Sequence, residues 1–193
     1  SDSGEYAVII GIAFDQLDAF TAVTPEYPDQ KYAFIDATLL EKNVTSYASK
    51  EHEGAFLVGA LSAYMKQDAE TYHLENNHKY GFIGAVESET IDRFAAGYRA
   101  GAEYVDSAAD GQIQYVGGDN PFGDTSTAKE IANSQYAKGY DIIFPAAGGA
   151  GLGVFAAAKE SDFVAIGVNS NQNTLDPDHI VASMLKRVDN AAY

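Results

Sequence analysis

Cysteine and tryptophan are absent from the 193 residues, and positive charge is scarce. Without a thiol the chain can form no disulfide, thiolate nucleophile or cysteine-based metal site. Lys and Arg total 12 against 28 Asp and Glu, which gives a formal charge of −16. Because so acidic a surface repels phosphate backbones and anionic lipid headgroups, we expect no nucleic-acid partner and no membrane-surface partner.

Long apolar runs are also lacking. The longest apolar stretches fall short of the about 20 residues that a membrane-spanning helix needs. The first residues, Ser-Asp-Ser-Gly, contain neither an initiator Met nor a signal peptide, so they do not indicate a location. Hydrophobic residues make up 46% of the chain, which is typical of a folded protein with real cores.

Short β-branched or apolar runs alternate with stretches of helical spacing. The predicted strands are residues 7–12, 32–35, 80–83, 113–116, 141–144 and 163–168. The predicted helices have faces formed by Phe56, Leu57, Ala60, Leu61 and Tyr64, by Ile91, Phe94, Ala95, Tyr98 and Ala102, and more weakly by Ile131, Ser134, Gln135 and Lys138. Strands that alternate with helices predict right-handed βαβ units and parallel sheets covered on both faces.

The most polar interruption of this pattern is the stretch 66–79. We interpret it as the end of a helix in one lobe followed by the crossing into a second lobe. The alternative is a long surface connection within one sheet. The first interpretation divides the chain into a partial first lobe at 1–75, a second lobe at 76–179, and a final segment at 180–193. This last segment would hold a crossover strand and the start of a helix that returns to the first lobe.

Small, polar and aromatic residues follow the predicted strands, at the end where parallel sheets bind ligands. Strand 163–168 ends at Asn169, and strand 141–144 leads into a Gly-rich turn that contains Gly148. This turn fits neither the phosphate loop GxxxxGK[ST] nor G-x-G-x-x-G. Its glycines either pack a helix tightly against a strand or let backbone amides at a helix N-terminus approach a ligand oxygen.

Two further side chains at strand ends have both a structural and a ligand-binding interpretation. Phe122 stands in a loop of Gly, Pro and Asp, outside any periodic apolar face. Its ring either anchors the loop or stacks on a sugar or nucleobase. Asp36 directly follows strand 32–35. Its carboxylate either caps the next segment or accepts hydrogen bonds from ligand hydroxyls or amides.

Patterns typical of catalysis or metal binding are weak. His52 lies in Glu-His-Glu rather than in H-E-x-x-H, and no G-x-S-x-G is present. His73 and His78 lie in the polar stretch and are predicted to be solvated. The acidic loop 117–124 lacks the spaced ligands of a calcium-binding EF-hand. We therefore expect no metal, no cofactor and no enzymatic activity.

Several motifs, in order along nearly the whole chain, resemble one family: the basic membrane protein family of ABC-transporter substrate-binding lipoproteins, whose characterised members bind purine nucleosides. The motifs are Asn43-Val44, KEHEGAFLVG at 50–59, GFIG at 81–84, RFAAGYRAG at 93–101, IIFPAAGGAGLGVF at 142–155 and ASMLKRVD at 182–189. The resemblance implies a type I periplasmic-binding fold, in which two Rossmann-like lobes with parallel sheets are joined by three crossovers.

The resemblance also implies a ligand site in the cleft between the lobes. It assigns ligand contact to Asp36 in the first lobe, base stacking to Phe122, the ribose side to Asn169, and a further contact to Lys186 after the final crossing. Phe14 and Gly148 are weaker neighbours of this set. Family members usually carry aspartates in the segment 167–172, where this chain has two asparagines, so the resemblance leaves the choice of ligand open.

By the same resemblance, the opening βαβ unit of the family and its lipid-anchoring cysteine are missing from this sequence. The first lobe is therefore expected to be truncated at its N-terminus. An unpaired strand edge would remain there, and such edges invite pairing with another copy of the chain. The implied location is extracytoplasmic, at the cell surface or in the periplasm, with anchoring through a lipid on a cysteine outside this sequence.

The sequence thus predicts a solute-binding protein that holds a nucleoside-like ligand by stacking and hydrogen bonds and passes it to an ABC permease. The main alternative is a ligand-sensing regulatory domain of the same fold, in which closure on the ligand signals to a partner. An enzyme that acts on nucleosides is the second alternative.

Overall fold

The computed structural model describes residues 4–13 and 16–192. These residues divide into two compact units. The second unit is the continuous stretch 50–186, and the first consists of the described residues before and after it. Every paired strand in both units is parallel to its neighbours, as the alternation of strands and helices predicts.

The first unit holds a three-stranded sheet in the order β1-β2-β3. Its elements are β1 (Ile9–Ile12), α1 (Leu17–Val23), β2 (Tyr32–Ile35), β3 (Val44–Tyr47) and α6 (Val188–Ala192). The central strand β2 supplies the buried side chains Tyr32, Phe34 and Ile35. Asn43, from the first motif of the resemblance, donates its side-chain amide to the carbonyls of Thr24, Tyr27 and Gln30 at 3.0 to 3.1 Å. Its role here is to hold the connection between α1 and β2.

The second unit holds a five-stranded sheet in the order β5-β4-β6-β7-β8. Its strands are β4 (Lys79–Gly84), β5 (Asp110–Tyr115), β6 (Ile142–Ala146), β7 (Val164–Asn169) and β8 (Ile180–Leu185). Its helices are α2 (Glu51–Gln67), α3 (Glu89–Val105), α4 (Thr125–Tyr136) and α5 (Gly151–Ser161). Neighbouring residues along β4, Phe82 and Ile83, belong to two separate core clusters, because side chains alternate between the faces of a strand. Helices α2 and α3 cover one face, and α4 and α5 cover the other.

Helix α2 buries a different face from the predicted one. Leu57 and Tyr64 are exposed by 68% and 57%, whereas half of the buried positions are small, among them Ala55, Gly59 and Ala63. The reason is the close packing of α2 against α3. A Cβ atom added at Gly59 would lie 2.0 Å from the carbonyl oxygen of Tyr98 on α3. Small residues therefore mark the contact, and the large apolar residues face outward.

The polar stretch 66–79 is a connection inside the second unit, which is the alternative interpretation of this segment. Lys66 is buried and forms an ion pair with Asp141, and burial lowers the pKa of its ammonium group. The second carboxylate oxygen of Asp141 accepts the Glu75 N–H at 2.5 Å, and Asn77 donates to the Gly139 carbonyl at 3.0 Å. The polar residues thus fasten the loop to the amino end of β6.

The predicted lobe boundary after residue 75 does not coincide with the division between the units, which falls between Ser49 and Lys50. Helix α2 belongs to the second unit because its small face packs on α3 and its first turn packs on β8, where Gly54 lies against Met184. The final segment, 180–193, is also divided: β8 completes the second sheet, and α6 lies in the first unit.

Candidate ligand-binding site

The carboxyl edge of the second sheet gathers four of the predicted site residues into two pairs. Phe122 and Gly148 form one pair, beyond the ends of β5 and β6. Asn169 and Lys186 form the other, at the ends of β7 and β8. In open parallel sheets this edge is where ligands bind.

Phe122 is partly buried and packs against the edge of both core clusters. Its carbonyl oxygen accepts the Ala150 N–H at 2.8 Å. Gly148 has a φ of +57°, a conformation that favours glycine, and a Cβ atom there would lie 3.3 Å from the Phe122 ring. The Gly-rich turn therefore fixes the position of the ring, which serves both as an anchor for its loop and as a partly exposed aromatic surface.

Another glycine of this turn is required for packing. A Cβ atom at Gly153, near the start of α5, would lie 1.9 Å from the Thr125 carbonyl oxygen of α4. Of the two interpretations of the turn, the tight packing of neighbouring elements therefore accounts for this residue, because no larger side chain fits there.

Asn169 is the last residue of β7, is exposed, and has a φ of +66°. Its carbonyl oxygen accepts the backbone N–H of Lys186 at 2.9 Å, which joins the ends of β7 and β8. The loop that follows is held by its own polar side chains. Gln172 accepts the Val168 N–H at 2.7 Å, and its own N–H donates to the Ser183 hydroxyl at 3.0 Å. The Asn169 side chain is thus presented from a fixed backbone.

Lys186 is the last residue of the second unit, before the chain crosses to α6 and not after it as expected. Its side chain is 4% exposed, and its ammonium group lies 3.0 Å from a carboxylate oxygen of Glu51. The same ammonium group lies 5.6 Å from the centre of the Phe94 ring, within the range of a cation–π interaction. The other Glu51 oxygen lies 3.4 Å from the guanidinium of Arg93.

The sequence did not indicate that Glu51 is buried at this edge and paired with Lys186. An acidic residue in the first turn of a helix usually interacts with the helix dipole from the surface. Here the Glu51 side chain is only 1% exposed. No local pattern in the sequence predicts this burial. The partner charge, Lys186 at the end of β8, is distant along the chain, and only the fold brings the two residues together.

In the first unit, Asp36 directly follows β2. Its backbone N–H donates to the Tyr47 carbonyl at 3.0 Å, and its φ is +97°, a strained conformation for a residue with a side chain. Ala13, after β1, and Asn169, after β7, also have positive φ values. Strained backbone recurs at functional sites, and here it marks three strand ends. Phe14 lies outside the described residues.

The acidic loop 117–124 has a structural explanation for one of its carboxylates. Asp124 caps the start of α4, where it accepts the backbone N–H of Thr127 at 2.9 Å and the hydroxyl of the same residue at 2.7 Å. These hydrogen bonds lower the pKa of Asp124. In the part of the chain that the structure describes, no group of three His, Cys, Asp or Glu side chains is arranged to hold a metal ion.

None of the helices in the described ranges has both the length and the apolar character needed to cross a bilayer.

Parallel α/β units that carry strained residues at the carboxyl ends of their strands have the architecture of proteins that bind small ligands at this edge. The family described as "ABC transporter substrate-binding protein PnrA-like" matches residues 2–193. The chain belongs to this family, as its motifs indicate.

Individual relatives agree with this assignment. The nucleoside-binding protein BmpA of an ABC transporter from Lactococcus lactis is 34% identical over 201 residues, which cover 95% of this chain and 54% of that protein. The CD4+ T-cell-stimulating antigen of Listeria monocytogenes is 36% identical over 156 residues, which cover 80% of this chain and 40% of the antigen. The chain spans about half the length of the curated relatives it matches.

A solved structure confirms the predicted fold class. The crystal structure of an ABC-transporter solute-binding protein from Aeropyrum pernix K1 is 32% identical, with a TM-score of 0.87. The match covers the whole of this chain and 54% of that protein.

Proposed function

We propose that this chain is the ligand-binding part of an extracytoplasmic solute-binding protein and that its ligand is a nucleoside, which is passed to an ABC permease. One observation carries the proposal: a single carboxyl edge presents both an aromatic ring and polar residues. The Gly-rich turn holds the ring of Phe122, and Asn169 and Lys186 stand at the ends of two neighbouring strands. A nucleoside presents the matching surfaces, a flat base and a hydroxyl-bearing sugar. The Lactococcus relative, which is named for nucleoside binding, supports the same ligand class.

The proposed roles follow from the chemistry of each side chain. The Phe122 ring stacks on the base, a contact worth about 1–3 kcal/mol. Asn169 accepts and donates hydrogen bonds with the ribose hydroxyls, since an amide offers both functions. Lys186 donates to the ligand from its place beside Asn169, and Asp36 accepts from the ligand in the first unit. Gly148 contributes by fixing the ring, and no covalent step takes place.

The charge of the site favours a nucleoside over a nucleotide. Lys186 is the cation that the described carboxyl edge offers next to Asn169, and Glu51 neutralises it at 3.0 Å. The chain as a whole has a formal charge of −16. A phosphate group would therefore meet an acidic surface and cations, Lys186 and Arg93, that are already paired with carboxylates.

We also propose that the protein is exported and is held at the membrane by a lipid, and that copies of the chain associate through a strand edge.

The test is a thermal-shift screen of the chain with purine and pyrimidine nucleosides. Free sugars, bases, amino acids and nucleoside 5′-monophosphates are the controls, and the Lactococcus lactis relative is the reference protein. A nucleoside at 100 times its dissociation constant stabilises the folded state by about 2.7 kcal/mol. For a chain of this size Tm rises by about 2–4 °C for each kcal/mol, so we expect a rise in Tm of roughly 5–11 °C.

A shift with nucleosides but with none of the controls supports the proposal. A shift with another solute and with no nucleoside would show that the ligand is wrong. Mass spectrometry of the same samples tests the absence of chemistry, because release of a free base that depends on the protein would contradict pure binding.

A further inference from the structure

A buried ion pair joins the first residues of the second unit to its last. Glu51, one residue into the unit, lies 3.0 Å from the ammonium group of Lys186, its final residue. Their side chains are 1% and 4% exposed, so the pair is shielded from solvent and from salt. Phe94 lies beneath the ammonium group, and Arg93 approaches the second carboxylate oxygen.

Stability alone is a weak explanation for such a pair. Removing two charges from water is costly, and well-packed apolar residues of similar volume often stabilise a protein as much or more. The same helix offers a comparison at its other end, where buried Lys66 forms an ion pair with Asp141. That pair lies before β6, at the amino edge of the sheet, and it fastens the loop 66–79.

The Glu51–Lys186 pair lies instead at the carboxyl edge. Lys186 directly follows β8, and its backbone N–H donates to the carbonyl oxygen of Asn169 at 2.9 Å. The carboxylate of Glu51 therefore acts on a residue that is bonded to another strand end of the proposed site. The two ends of this unit, through which the chain passes to and from the first unit, are held by the same contact.

We propose that Glu51 is a positioning residue of the nucleoside site: its buried carboxylate fixes the side chain of Lys186, whose backbone N–H bonds to Asn169, and fastens together the two segments that enter and leave the second unit. This inference rests on the proposed function. Glu51 itself need not touch the ligand, and its effect is transmitted through Lys186.

The test is a double-mutant cycle with Glu51→Gln and Lys186→Met, measured by nucleoside affinity in isothermal titration calorimetry and by Tm without ligand. The matched control is the double variant Lys66→Met with Asp141→Asn, which removes the buried pair at the other end of α2.

We expect each single variant at Glu51 and Lys186 to weaken binding at least tenfold. The two together should weaken it no more than the stronger single variant, because both disrupt one contact. The control should lower Tm and leave the dissociation constant within twofold.

A second readout needs no ligand. An amine-reactive acylating reagent, followed by peptide mass spectrometry, reports how well each lysine is held and shielded. We expect Lys186 to be protected in the wild type and to react at least fivefold faster in Glu51→Gln, with Lys66 unchanged. If the wild type binds no nucleoside, the proposed function fails, and the acylation rate of Lys186 then decides the positioning role alone.

Three results would overturn the inference. One is a Glu51→Gln variant with lower Tm and an unchanged nucleoside affinity, as in the control. Another is additivity of the two single variants, and the third is unchanged protection of Lys186. If Glu51→Gln does not fold, Glu51→Asp keeps the charge and withdraws it by one methylene. Its affinity should then fall between that of the wild type and that of Lys186→Met, and wild-type affinity would equally reject the role.

Discussion

The side chain at position 169 determines how many hydroxyl hydrogens the end of β7 can accept. Asn169 is exposed on a fixed backbone, and its amide accepts with one atom and donates with the other. An aspartate there would accept with both oxygens. Since Asp tolerates a positive φ about as well as Asn, the exchange changes the chemistry and leaves the backbone in place.

We therefore expect Asn169→Asp to strengthen the binding of a ribonucleoside. A charge-assisted hydrogen bond contributes about 1.5–3 kcal/mol, which corresponds to roughly 10- to 150-fold in affinity. Calorimetry with a ribonucleoside and its 2′,3′-dideoxy analogue measures the gain, which should vanish for the analogue. The control is Asn171→Asp, two residues further along the exposed loop. Weaker binding by Asn169→Asp would mean that the ligand accepts a hydrogen bond at this position.

At the scale of residues, the sequence predicts which residues follow a strand. It does not predict which distant side chains the fold brings into contact with them. Asn169 is a candidate because it directly ends an apolar run, and Phe122 because no periodic face accounts for it; both stay predictions. The ion pair of Lys186 with Glu51 could not be found in this way. Its members are far apart in sequence, and nothing in either local pattern shows that the fold buries both.

At the scale of elements, the contact between α2 and α3 leaves no room for a Cβ atom at two glycines. Gly59 lies where a Cβ atom would approach the Tyr98 carbonyl oxygen to 2.0 Å, and Gly101 stands in the same relation to the Phe56 carbonyl oxygen. Neither carbonyl oxygen can shift away from an added Cβ atom by itself, because each belongs to the backbone of a helix. The glycines set the distance between the two helices that cover one face of the second sheet.

Gly59→Ala should therefore destabilise the protein although alanine is the better helix former. Overpacking of a filled contact costs about 1–3 kcal/mol, which exceeds the about 1 kcal/mol that alanine gains in an open helix position. Chemical denaturation measures the change in the free energy of unfolding. Gly54→Ala on the same helix is the control, because the atom nearest to a Cβ there is the terminal methyl of the flexible Met184 side chain and not a backbone atom. A Gly59→Ala protein as stable as the control would show that the helices can separate at little cost.

At the scale of elements, strands were easier to predict than helix faces. The six predicted strands are present, five of them with ends shifted by a few residues. Buried parallel strands such as β6 and β7 are continuous apolar runs, which makes them easy to recognise. The short strand β3 was not predicted, since its residues Val44–Tyr47 are only partly buried and half polar. The face of α2 was assigned to its large apolar residues, whereas close packing against α3 selects small ones.

At the scale of the whole molecule, both edge strands of the first sheet, β1 and β3, are unpaired on their outer side in the described residues, and β1 is the more apolar of the two. Strand β1 pairs only with β2, and its Ile10 and Ile12 are exposed by 41% and 42%. An exposed apolar edge strand is a template for pairing with another chain.

We expect the chain to self-associate through this edge. Size-exclusion chromatography with light scattering should show dimers or larger species whose share grows with concentration. Ile10→Lys should shift the protein toward monomer, because a charge on an edge strand opposes pairing. Tyr104→Lys, which removes a 76% exposed aromatic residue from the second unit, is the control and should not change the distribution. A clean wild-type monomer at several hundred micromolar would contradict the expectation.

The fold class and the family could be predicted from the order of the motifs, but the boundary between the units could not. The sequence suggested a crossing at the most polar stretch, 66–79, because linkers are usually polar. In the structure the side chain of Lys66 bonds to Asp141 and that of Asn77 to the Gly139 carbonyl, within one unit. The chain instead changes unit beside Lys50, where a helix begins and no change of composition marks the place.

The continuity of residues 50–186, with their two ends joined by the Glu51–Lys186 pair, gives the second unit the form of an insertion into the first. Both points of insertion lie side by side, which is the arrangement that tolerates excision and transplantation of a domain. Exchange of this one cassette between members of the family would carry Phe122, the loop after Asn169 and Lys186 together. Ligand preference could then pass between relatives by recombination at two neighbouring sites.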